Sequence, residues 1–510
     1  MKAVTAAQMR EIDRATIEDF KTPGLELMEN AGCALAGAAA ELLPASGQAL
    51  VIAGKGNNGG DGFVAARHLL ERGFDVEVAL LTKIDELNGE AAINCRRATD
   101  RDIPIHQNPS DRQLARLLHE ADVVIDAILG TGLSGQVRGR LAEVLRLLAA
   151  HQGTIVAADI PSGINADTGA LLGEVPRAAI TVTFGLAKQG LYLYPGRGYC
   201  GEIRVAEIGL APATIENPEL KTYVIDAAQV AAALPARALD AHKGDCGRVL
   251  VIAGSTGLTG AAAMASLAAA RTGAGLVTLV IPASLNAILE TKCTEVMTAP
   301  LMDHGCGYLR PRNTEALLGL AAGVQSVIIG PGLGRQQATA EMVRGLVAQL
   351  DCPVLLDADG INAFAGHVDL LSGYSGQLVV TPHPGELSRL TGMSVGEIQA
   401  DRVTAARGWA ERLGAVMVLK GAGTVCAAPE GETWINPTGN SGMASGGMGD
   451  ILSGMIGALL AGGADSLPAA YAGVWMHGRA ADIAAAGIGP RGYLATDLLQ
   501  LIPAVYSEIL

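Results

Sequence analysis

The sequence is short of aromatic side chains and of positive charge. Aromatic residues make up 3% of the 510 residues, and 37 lysines and arginines face 51 aspartates and glutamates, so the formal net charge is −14. That charge argues against nucleic acid or an anionic membrane as the main partner. Long apolar runs are missing too, because even the alanine-rich stretch 261–270 ends at Arg271, so no membrane span is predicted.

Paired cysteines are also absent. The eight cysteines are scattered, with no CxxC spacing and no histidine cluster beside them. This distribution excludes a disulfide framework or a zinc site and is typical of reduced thiols. The first residues, Met1 to Thr5, contain no apolar core of a signal peptide, so we expect a cytoplasmic protein.

Glycine and small aliphatic residues dominate instead. The 66 glycines and the 49% hydrophobic content fit an α/β protein with buried parallel strands. A chain of 510 residues exceeds the size at which one core stops growing, which predicts at least two domains.

Strand-like apolar runs alternate with helical stretches along both halves of the chain. The runs are 49–53, 76–81, 123–127, 154–158, 180–184 and 203–205, then 248–254, 276–281, 327–329, 354–356, 378–381 and 416–419. This alternation predicts an α/β fold of two domains, each a mostly parallel sheet with helices on both faces, the first a Rossmann-like three-layer sandwich. The segment 212–221 contains two prolines and no apolar periodicity, so we place the junction there and predict domains 1–216 and 222–510.

The most informative motif is the glycine-rich run from Gly439 to Asp450, which leads into the apolar segment 451–460. A glycine loop at a helix N-terminus offers backbone N–H groups and the positive end of the helix dipole to an anion. A carboxylate at the mouth of such a phosphate site is explained if Asp450 handles a proton or helps to hold a metal. The motif therefore indicates chemistry on a hydroxyl group that faces a polyphosphate. The alternative is a flexible loop with an acid in the first helical turn.

A second glycine loop, Gly54 to Gly62, follows the first strand of the first half and is predicted to precede a helix over 63–72. Ligands bind at the carboxyl ends of strands in α/β sheets, so this loop indicates a phosphate or nucleotide site. It matches neither the GxGxxG fingerprint nor a Walker loop. A tight structural turn explains some of its glycines but not all of them.

Two carboxylates follow neighbouring strands at the same edge. Asp126 comes after the run 123–125 and Asp159 after 155–158. Burying a charge is costly, so a cation, a ribose or proton transfer best explains them, and a helix N-cap is the alternative for either one. An asparagine side chain, Asp126 and the Ser162 hydroxyl supply hard oxygens for an alkali or alkaline-earth cation. Asp159 is then free to act as an acid–base group.

These motifs, with the runs QMREID at 8–13 and PGLELMENAG at 23–32, resemble the family of NAD(P)H-hydrate epimerases over nearly the whole first half. The resemblance implies that Asn58, Asp126 and Ser162 hold potassium (K⁺), and that Asp159 is the catalytic group at the substrate. It also implies a substrate-binding set. The set is Asn57, Asn58, Gly59, Gly60, Asp61, Gly130, Thr131, Gly132, Leu133, Ser134, Gly135, Gln136 and Asp159.

Four further loops follow predicted strands of the second half. They are Gly254 to Ala263, Gly330 to Arg335, Thr381 to Glu386 and Lys420 to Thr424. Together with the 439–450 loop they are expected to meet at one edge of a sheet. Lys420 would contact phosphate or ribose, and His383, held between two prolines, would contact substrate unless it is structural. Asp450 would activate a substrate hydroxyl for attack on a phosphoryl group, with magnesium bridging the phosphate oxygens.

The ending Gly447-Met448-Gly449-Asp450 resembles the ribokinase-like superfamily, which implies a ribokinase-like α/β domain. The runs HKGDCGRVLVIAGS, GPGLGR, TPHPGE, KGAGT and GNSGMASGGMGD resemble the ADP-dependent NAD(P)H-hydrate dehydratases over nearly the whole second half. That resemblance implies phosphorylation of the C6 hydroxyl of a hydrated nicotinamide ring, after which the ring nitrogen expels the phosphate. The residues implied to face the hydrate are Ala262, Gly332, Gly334, His383 and Asp450, the last of them catalytic. Those implied to hold ADP are Lys420, Gly421, Ala422, Gly423, Thr424, Gly442, Ser445, Gly446, Gly447 and Gly449.

The two resemblances together imply one enzyme for the repair of hydrated cofactors, NADHX and NADPHX. The first half would interconvert the R and S epimers, and the second would dehydrate the S epimer with ADP and Mg²⁺. Related enzymes form homo-oligomers, so a homo-oligomer is expected. Two alternatives stay open on sequence alone. One is a small-molecule kinase on the same ribokinase-like scaffold, and the other is a first half that senses nucleotides or binds partners without catalysis.

Overall fold

The computed structural model describes residues 1–510, which divide into two compact units, Met1–Thr222 and Tyr223–Leu510. Each unit is described separately below. None of the helices is both long enough and apolar enough to cross a membrane.

The first unit alternates strands and helices along most of its length. Its elements are β1 (Ala3–Val4), α1 (Ala6–Glu18), α2 (Gly24–Ala40), β2 (Gln48–Ala53), α3 (Asn57–Glu71), β3 (Asp75–Leu80), α4 (Gly89–Thr99), β4 (Ile105–Gln107), α5 (Asp111–Glu120), β5 (Val123–Ala127), α6 (Gly139–Ala150), β6 (Thr154–Ala158), β7 (Ile180–Phe184), β8 (Ala187–Lys188), β9 (Glu202–Ala206) and α7 (Pro212–Ile215).

Seven of these strands form one parallel sheet in the order β4-β3-β2-β5-β6-β7-β9. Successive strand residues face opposite sides. Val51 and Ile125 pack into a core with α2, α3 and α4, whereas Leu50 and Val124 pack into a second core with α5 and α6. Helices therefore cover both faces, which confirms the three-layer α/β sandwich. The strand order reverses between β2 and β5, so these two strands flank a topological switch point, where ligands bind in such sheets.

The second unit is larger and has the same alternation. Its elements are β10 (Thr222–Val224), α8 (Ala227–Ala233), β11 (Arg248–Ile252), α9 (Thr259–Thr272), β12 (Leu276–Pro282), α10 (Asn286–Lys292), β13 (Met297–Leu301), α11 (Thr314–Ala321), β14 (Ser326–Ile329), α12 (Gln337–Val347), β15 (Val354–Leu356), α13 (Asp359–Asn362), β16 (Leu378–Val380), α14 (Pro384–Thr391), α15 (Val395–Ala400), α16 (Arg402–Leu413), β17 (Val416–Leu419), β18 (Val425–Ala427), β19 (Thr433–Ile435), α17 (Met448–Ala461), α18 (Ser466–Gly487) and α19 (Ala495–Ile509).

Its ten strands lie in the order β10-β19-β18-β17-β16-β15-β14-β11-β12-β13, parallel from β17 to β13 and antiparallel between β17, β18 and β19. In the core of this unit, glycine residues allow two helices to pack closely. A Cβ on Gly454 of α17 would lie 2.1 Å from the carbonyl oxygen of Ala265 in α9. These helices therefore pack at a distance that only small residues permit, and few aromatic side chains are needed to fill the space between them.

The predicted strands are present within two residues of their expected ends, but one helix boundary was wrong. Helix α3 begins at Asn57 and not at Phe63, so Asn57 to Gly62 form its first turns. The glycines permit close packing there, because a Cβ on Gly59 would lie 2.0 Å from the carbonyl oxygen of Gly54. The short strands β1, β4, β8, β10, β13, β18 and β19 were not predicted, since pieces of two to five residues carry too little apolar pattern.

Candidate active sites

The first candidate site is centred on the N-terminus of α3, beside the switch point. The N-cap residue, Gly56, makes no side-chain cap, so the N–H groups at the start of the helix are open to an anion. Gly54 must be glycine, because a Cβ there would lie 2.0 Å from the carbonyl oxygen of Ile128. The predicted loop Gly130 to Gln136 follows β5 at the same edge and is largely exposed.

A buried carboxylate stands at the end of β5. Asp126 is 0% exposed, its Oδ1 accepts from the Ser162 hydroxyl at 2.6 Å, and its Oδ2 accepts from the Ser162 backbone N–H at 2.8 Å. Burial raises its pKa, while the bonds from Ser162 lower it. No lysine or arginine pairs with it. A Cβ built on Gly130 would lie 3.4 Å from Asn58 Cγ, so the Asn58 side chain is close to the start of the loop after β5, and its buried Nδ2 has no hydrogen-bond partner. Of the side chains predicted to bind potassium, Asp126 and Ser162 are therefore in contact, and Asn58 lies at the same edge of the sheet.

The carboxylate after β6, Asp159, has a basic partner that sequence reasoning did not identify. Its Oδ1 accepts from Lys188 Nζ at 2.6 Å and from the Thr183 hydroxyl and the Phe184 N–H at 3.2 Å each. Lys188 is 1% exposed, so this is a buried ion pair. Asp159 also has a left-handed backbone with φ of 64°, which costs energy outside glycine and is concentrated at functional sites. Its other oxygen, Oδ2, makes no hydrogen bond.

Two more carboxyl groups face this ion pair. Asp61 on α3 is buried, and burial raises its pKa well above the usual value, with the charge of Asp159 adding to the effect. Asp13 on α1 has its pKa raised to about 6, chiefly by burial and against the influence of Lys188. Asp61 was predicted to bind substrate, whereas Asp13 and Lys188 were not singled out from the sequence.

The second candidate site lies at the N-terminus of α17. Gly447, with φ of 95°, is the N-cap and offers no side-chain cap, and the preceding residues Ser445 and Gly446 are exposed. Asn440 holds the start of this loop. Its Oδ1 accepts from the Gly442 N–H at 3.0 Å and the Tyr493 hydroxyl at 2.7 Å, and its Nδ2 donates to Asp482 at 3.0 Å. The loop is therefore fixed before any ligand arrives.

A second buried ion pair lies at the ends of β15 and β17. Asp357 Oδ1 accepts from Lys420 Nζ at 2.6 Å and from the Thr381 hydroxyl at 2.8 Å, and its Oδ2 accepts from Ser453 of α17 at 2.7 Å. Lys420 also lies 3.7 Å from the Glu386 carboxylate. Although burial opposes the charge of Lys420, Asp357 and Glu386 raise its pKa overall. The lysine is thus a fixed cation beside the α17 N-terminus.

Asp450 occupies the first turn of α17, as both interpretations of the motif allowed. Its side chain makes no hydrogen bond. Burial, followed by the charge of Asp357, raises its pKa to about 7, against the influence of Lys420. A carboxyl group with such a pKa exchanges protons readily at neutral pH, which is the property expected of a general base.

His383 has a structural task as well. Its Nδ1 accepts from the backbone N–H groups of Gly385 and Glu386 and caps α14, so the ring proton lies on Nε2. Burial lowers the pKa of the ring, which keeps it neutral. Its side chain is 51% exposed, so Nε2 can still reach a ligand.

The remaining predicted residues lie at the carboxyl edge of the same sheet. Gly332 and Gly334 have φ of 64° and 84° in the loop after β14, and Gly421 and Gly423 form the turn after Lys420. Ala262 differs from them, because it is 0% exposed and belongs to the apolar core beneath the Gly254 turn.

Sequence reasoning missed the partners of the charged groups. Asp357 follows the predicted run 354–356, so the rule that found Asp126 would have found it. Lys188 and Glu386 carried no such signal, since their roles depend on contacts between distant parts of the chain.

Comparison with known proteins agrees with this geometry. The family described as NAD(P)H-hydrate dehydratase matches residues 249–504, and the family described as YjeF-related protein N-terminus matches residues 24–190. The bifunctional NAD(P)H-hydrate repair enzyme of Moorella thermoacetica is 41% identical, covering 100% of this chain and 97% of that protein. The corresponding enzyme of Thermofilum pendens is 39% identical, over 99% of this chain and 96% of that one.

This chain belongs to the family of bifunctional NAD(P)H-hydrate repair enzymes. The predicted family is confirmed, and so is the prediction of an enzyme with an epimerase and a dehydratase part. The ribokinase-like domain is confirmed as well. A crystal structure of the ADP/ATP-dependent NAD(P)H-hydrate dehydratase of Bacillus subtilis, crystallised with ATP and Mg²⁺, has a TM-score of 0.50 and 33% identity, covering 56% of this chain and 99% of that one.

Proposed function

We propose that residues 1–216 interconvert the R and S epimers of NADHX and NADPHX at Asp159, and that residues 222–510 dehydrate the S epimer with ADP at Asp450. The observation that carries this proposal is the environment of Asp450. It is a half-buried acid whose side chain makes no hydrogen bond, its pKa is raised to about 7, and it lies in the first turn of a helix without a side-chain cap, close to a fixed lysine. A base, an anion-binding site and a cation are therefore found together at the N-terminus of α17.

Dehydration follows from this arrangement. Asp450 takes the proton of the C6 hydroxyl, and the oxygen attacks the terminal phosphoryl group of ADP, releasing AMP. The open N–H groups of α17 and the Lys420 cation stabilise the charge on the transferring phosphoryl group. The ring nitrogen then expels the phosphate, and loss of a proton from the neighbouring carbon restores the reduced ring.

Magnesium fits the second site because carboxylates outnumber cations there. Glu386 is 6% exposed. Its Oε2 accepts from the backbone N–H of His383 and lies 3.7 Å from Lys420 Nζ, and its Oε1 lies 3.4 Å from Nε2 of the His383 ring. It is the protein group that would hold Mg²⁺ together with the nucleotide phosphates. The ion would neutralise phosphate charge during the transfer.

Potassium fits the first site for a related reason. Asp126 is a fully buried carboxylate without a basic partner, it is hydrogen-bonded to Ser162, and the Asn58 side chain lies near Gly130 at the same edge of the sheet. A weakly held monovalent cation on Asn58, Asp126 and Ser162 would balance that charge with hard oxygen ligands. It would fix the Gly130 to Gln136 loop that is proposed to bind the nucleotide part of the hydrate.

We also propose that the enzyme is cytoplasmic and forms a homo-oligomer. All eight cysteines are free, which supports a reducing cytoplasmic environment. The expected homo-oligomer is tested by light scattering after size-exclusion chromatography.

The deciding experiment gives the chain each purified epimer of NADHX with ADP and Mg²⁺ and follows the absorbance of the reduced nicotinamide ring. Recovery of NADH from both epimers supports the proposal, because the R epimer requires both activities. Recovery from S alone would remove the epimerase role of the first unit. If no NADH is recovered, but a small alcohol added in a parallel reaction is phosphorylated, the kinase alternative is favoured.

A further inference from the structure

The two carboxylate oxygens of Asp159 differ in their hydrogen bonding. Oδ1 accepts from three donors, Lys188 Nζ, the Thr183 hydroxyl and the Phe184 N–H, whereas Oδ2 accepts from none. Lys188 is completely enclosed and gives its other bond to the Phe184 carbonyl at 2.7 Å. The lysine therefore holds Asp159 as a carboxylate, oriented with one oxygen free.

Asp61 has the opposite surroundings. It is 8% exposed, and its carboxyl group has no hydrogen bond and no cation in contact. A carboxylate in such a place would be buried without compensation, so the neutral acid is the stable form. The charged or titratable groups that face it are Asp13 of α1, Asp159 after β6 and Lys188 of β8. Two of these three are acids, which further favours the neutral form of Asp61.

We propose that Lys188 is a positioning residue that sets two neighbouring acids to opposite tasks, with Asp159 as the base and protonated Asp61 as the acid of epimerisation. The inference rests on the proposed epimerase function of the first unit. It adds two roles that the resemblance did not imply, since Asp61 was expected only to bind substrate. Paired acids whose environments separate their protonation states are the usual source of an acid and a base in one site.

The chemistry balances without any further reactant than water. Asp61 gives its proton to the C6 oxygen as the C6–O bond breaks and water leaves, while the lone pair of the ring nitrogen forms a C=N bond. A water molecule then adds to C6 from the other face, the π electrons return to nitrogen, and Asp159 Oδ2 takes the released proton. Transfer of that proton back to Asp61 restores the starting state, so the net change is inversion at C6.

This arrangement predicts the pH dependence of epimerisation. The rate falls at high pH when Asp61 loses its proton, because the pKa of this buried acid is raised well above its usual value. The charge of Lys188 lowers the pKa of Asp61, so removal of the lysine moves this high-pH limb toward higher pH. The direction of the shift is therefore the signature of the positioning role.

The test compares Lys188→Met, Lys188→Arg and Asp61→Asn in the full chain, with Lys83→Met as the matched control because Lys83 is exposed in the same unit. Interconversion of R- and S-NADHX without ADP is followed by chromatography across pH. A thermal melt followed by circular dichroism reports whether the first unit of each variant is folded, and dehydration of S-NADHX reports the same for the second unit. We expect Lys188→Met to move the high-pH limb of the profile upward by about one pH unit or more, and Lys188→Arg to leave it in place. Asp61→Asn should lower the rate about 10²-fold and remove the high-pH limb.

An unshifted profile in Lys188→Met, or a profile of Asp61→Asn equal to that of the parent chain, overturns the inference. If Lys188→Met does not fold, the result for Asp61→Asn decides alone. If the parent chain does not interconvert the epimers at all, the proposed function fails, which is a different result from an active parent chain with an unaffected Asp61→Asn variant.

Discussion

The two candidate sites contain the same buried pair, a lysine on an aspartate at the carboxyl edge of a parallel sheet, but they differ in what the pair leaves open. In the first unit the Lys188 side chain is 1% exposed, and its partner Asp159 is the proposed base. In the second, Lys420 is 17% exposed, its partner Asp357 accepts hydrogen bonds on both oxygens, and a third group, Asp450, is the proposed base. A fully enclosed lysine can only orient its aspartate and influence the charge of nearby acids, whereas a partly exposed lysine can also bind a phosphate.

The largest change in reaction rate should come from replacing either of the two proposed catalytic bases. Asp450→Asn is expected to lower dehydration of S-NADHX by about 10²–10⁴-fold and to leave epimerisation intact, and Asp159→Asn should do the reverse. Measuring both reactions in each variant makes each site the control for the other. If either variant lost both activities, the separation of the two sites would be wrong.

The second comparison concerns the cost of breaking each pair. Lys420→Met leaves Asp357 buried without its cation, which should lower the free energy of unfolding of the second unit by about 3–5 kcal/mol. It should also weaken ADP binding, because the phosphate loses its fixed cation. Denaturant unfolding followed at the tryptophans and calorimetric ADP titration measure the two effects. Lys243→Met, at an exposed lysine of the same unit, is the control and should change neither quantity.

The pH dependence of dehydration sharpens the comparison further. The pKa of Asp450 is raised to about 7, and a base must be ionised to accept a proton. The rate should therefore rise about tenfold per pH unit below about pH 7 and level off above it. Initial rates with S-NADHX at low concentration and constant ADP test this. A rate that was flat from about pH 5 to pH 8 would contradict the role of Asp450.

The smallest expected effect lies in the Gly439 to Asp450 loop of the second unit, which Asn440 and Tyr493 hold in place. Tyr493→Phe removes one hydrogen bond to Asn440 while keeping the ring that packs on Gly442. Loss of one such bond is worth about 1 kcal/mol, so the KM for ADP should rise about fivefold with little change in kcat. Tyr308→Phe, remote from this loop in sequence, is a suitable control.

Much of the architecture could be predicted because it is encoded locally. Apolar runs such as 123–127 specify buried strands, and the glycines after them specify the turns at which ligands bind. The charged partners could not be predicted, because Asp159 and Lys188 are 29 residues apart and Asp357 and Lys420 are 63 apart. Only the folded sheet brings them together. The helical start at Asn57 was missed for a related reason, since packing against Gly54 and Met28 overrides the usual reluctance of glycine to enter a helix.

The pairing of β1 with β8 has a consequence for dynamics. Lys188 is held in register with Val4 by a ladder of only two residue pairs, apart from the seven-stranded sheet. Such a short ladder opens with much less free energy than the whole unit needs to unfold. Amide hydrogen exchange at Val4 and Lys188 should therefore be faster than in β2 or β5. Mild denaturant should therefore abolish epimerisation at concentrations that leave the helical signal in circular dichroism unchanged, because the local opening displaces Lys188.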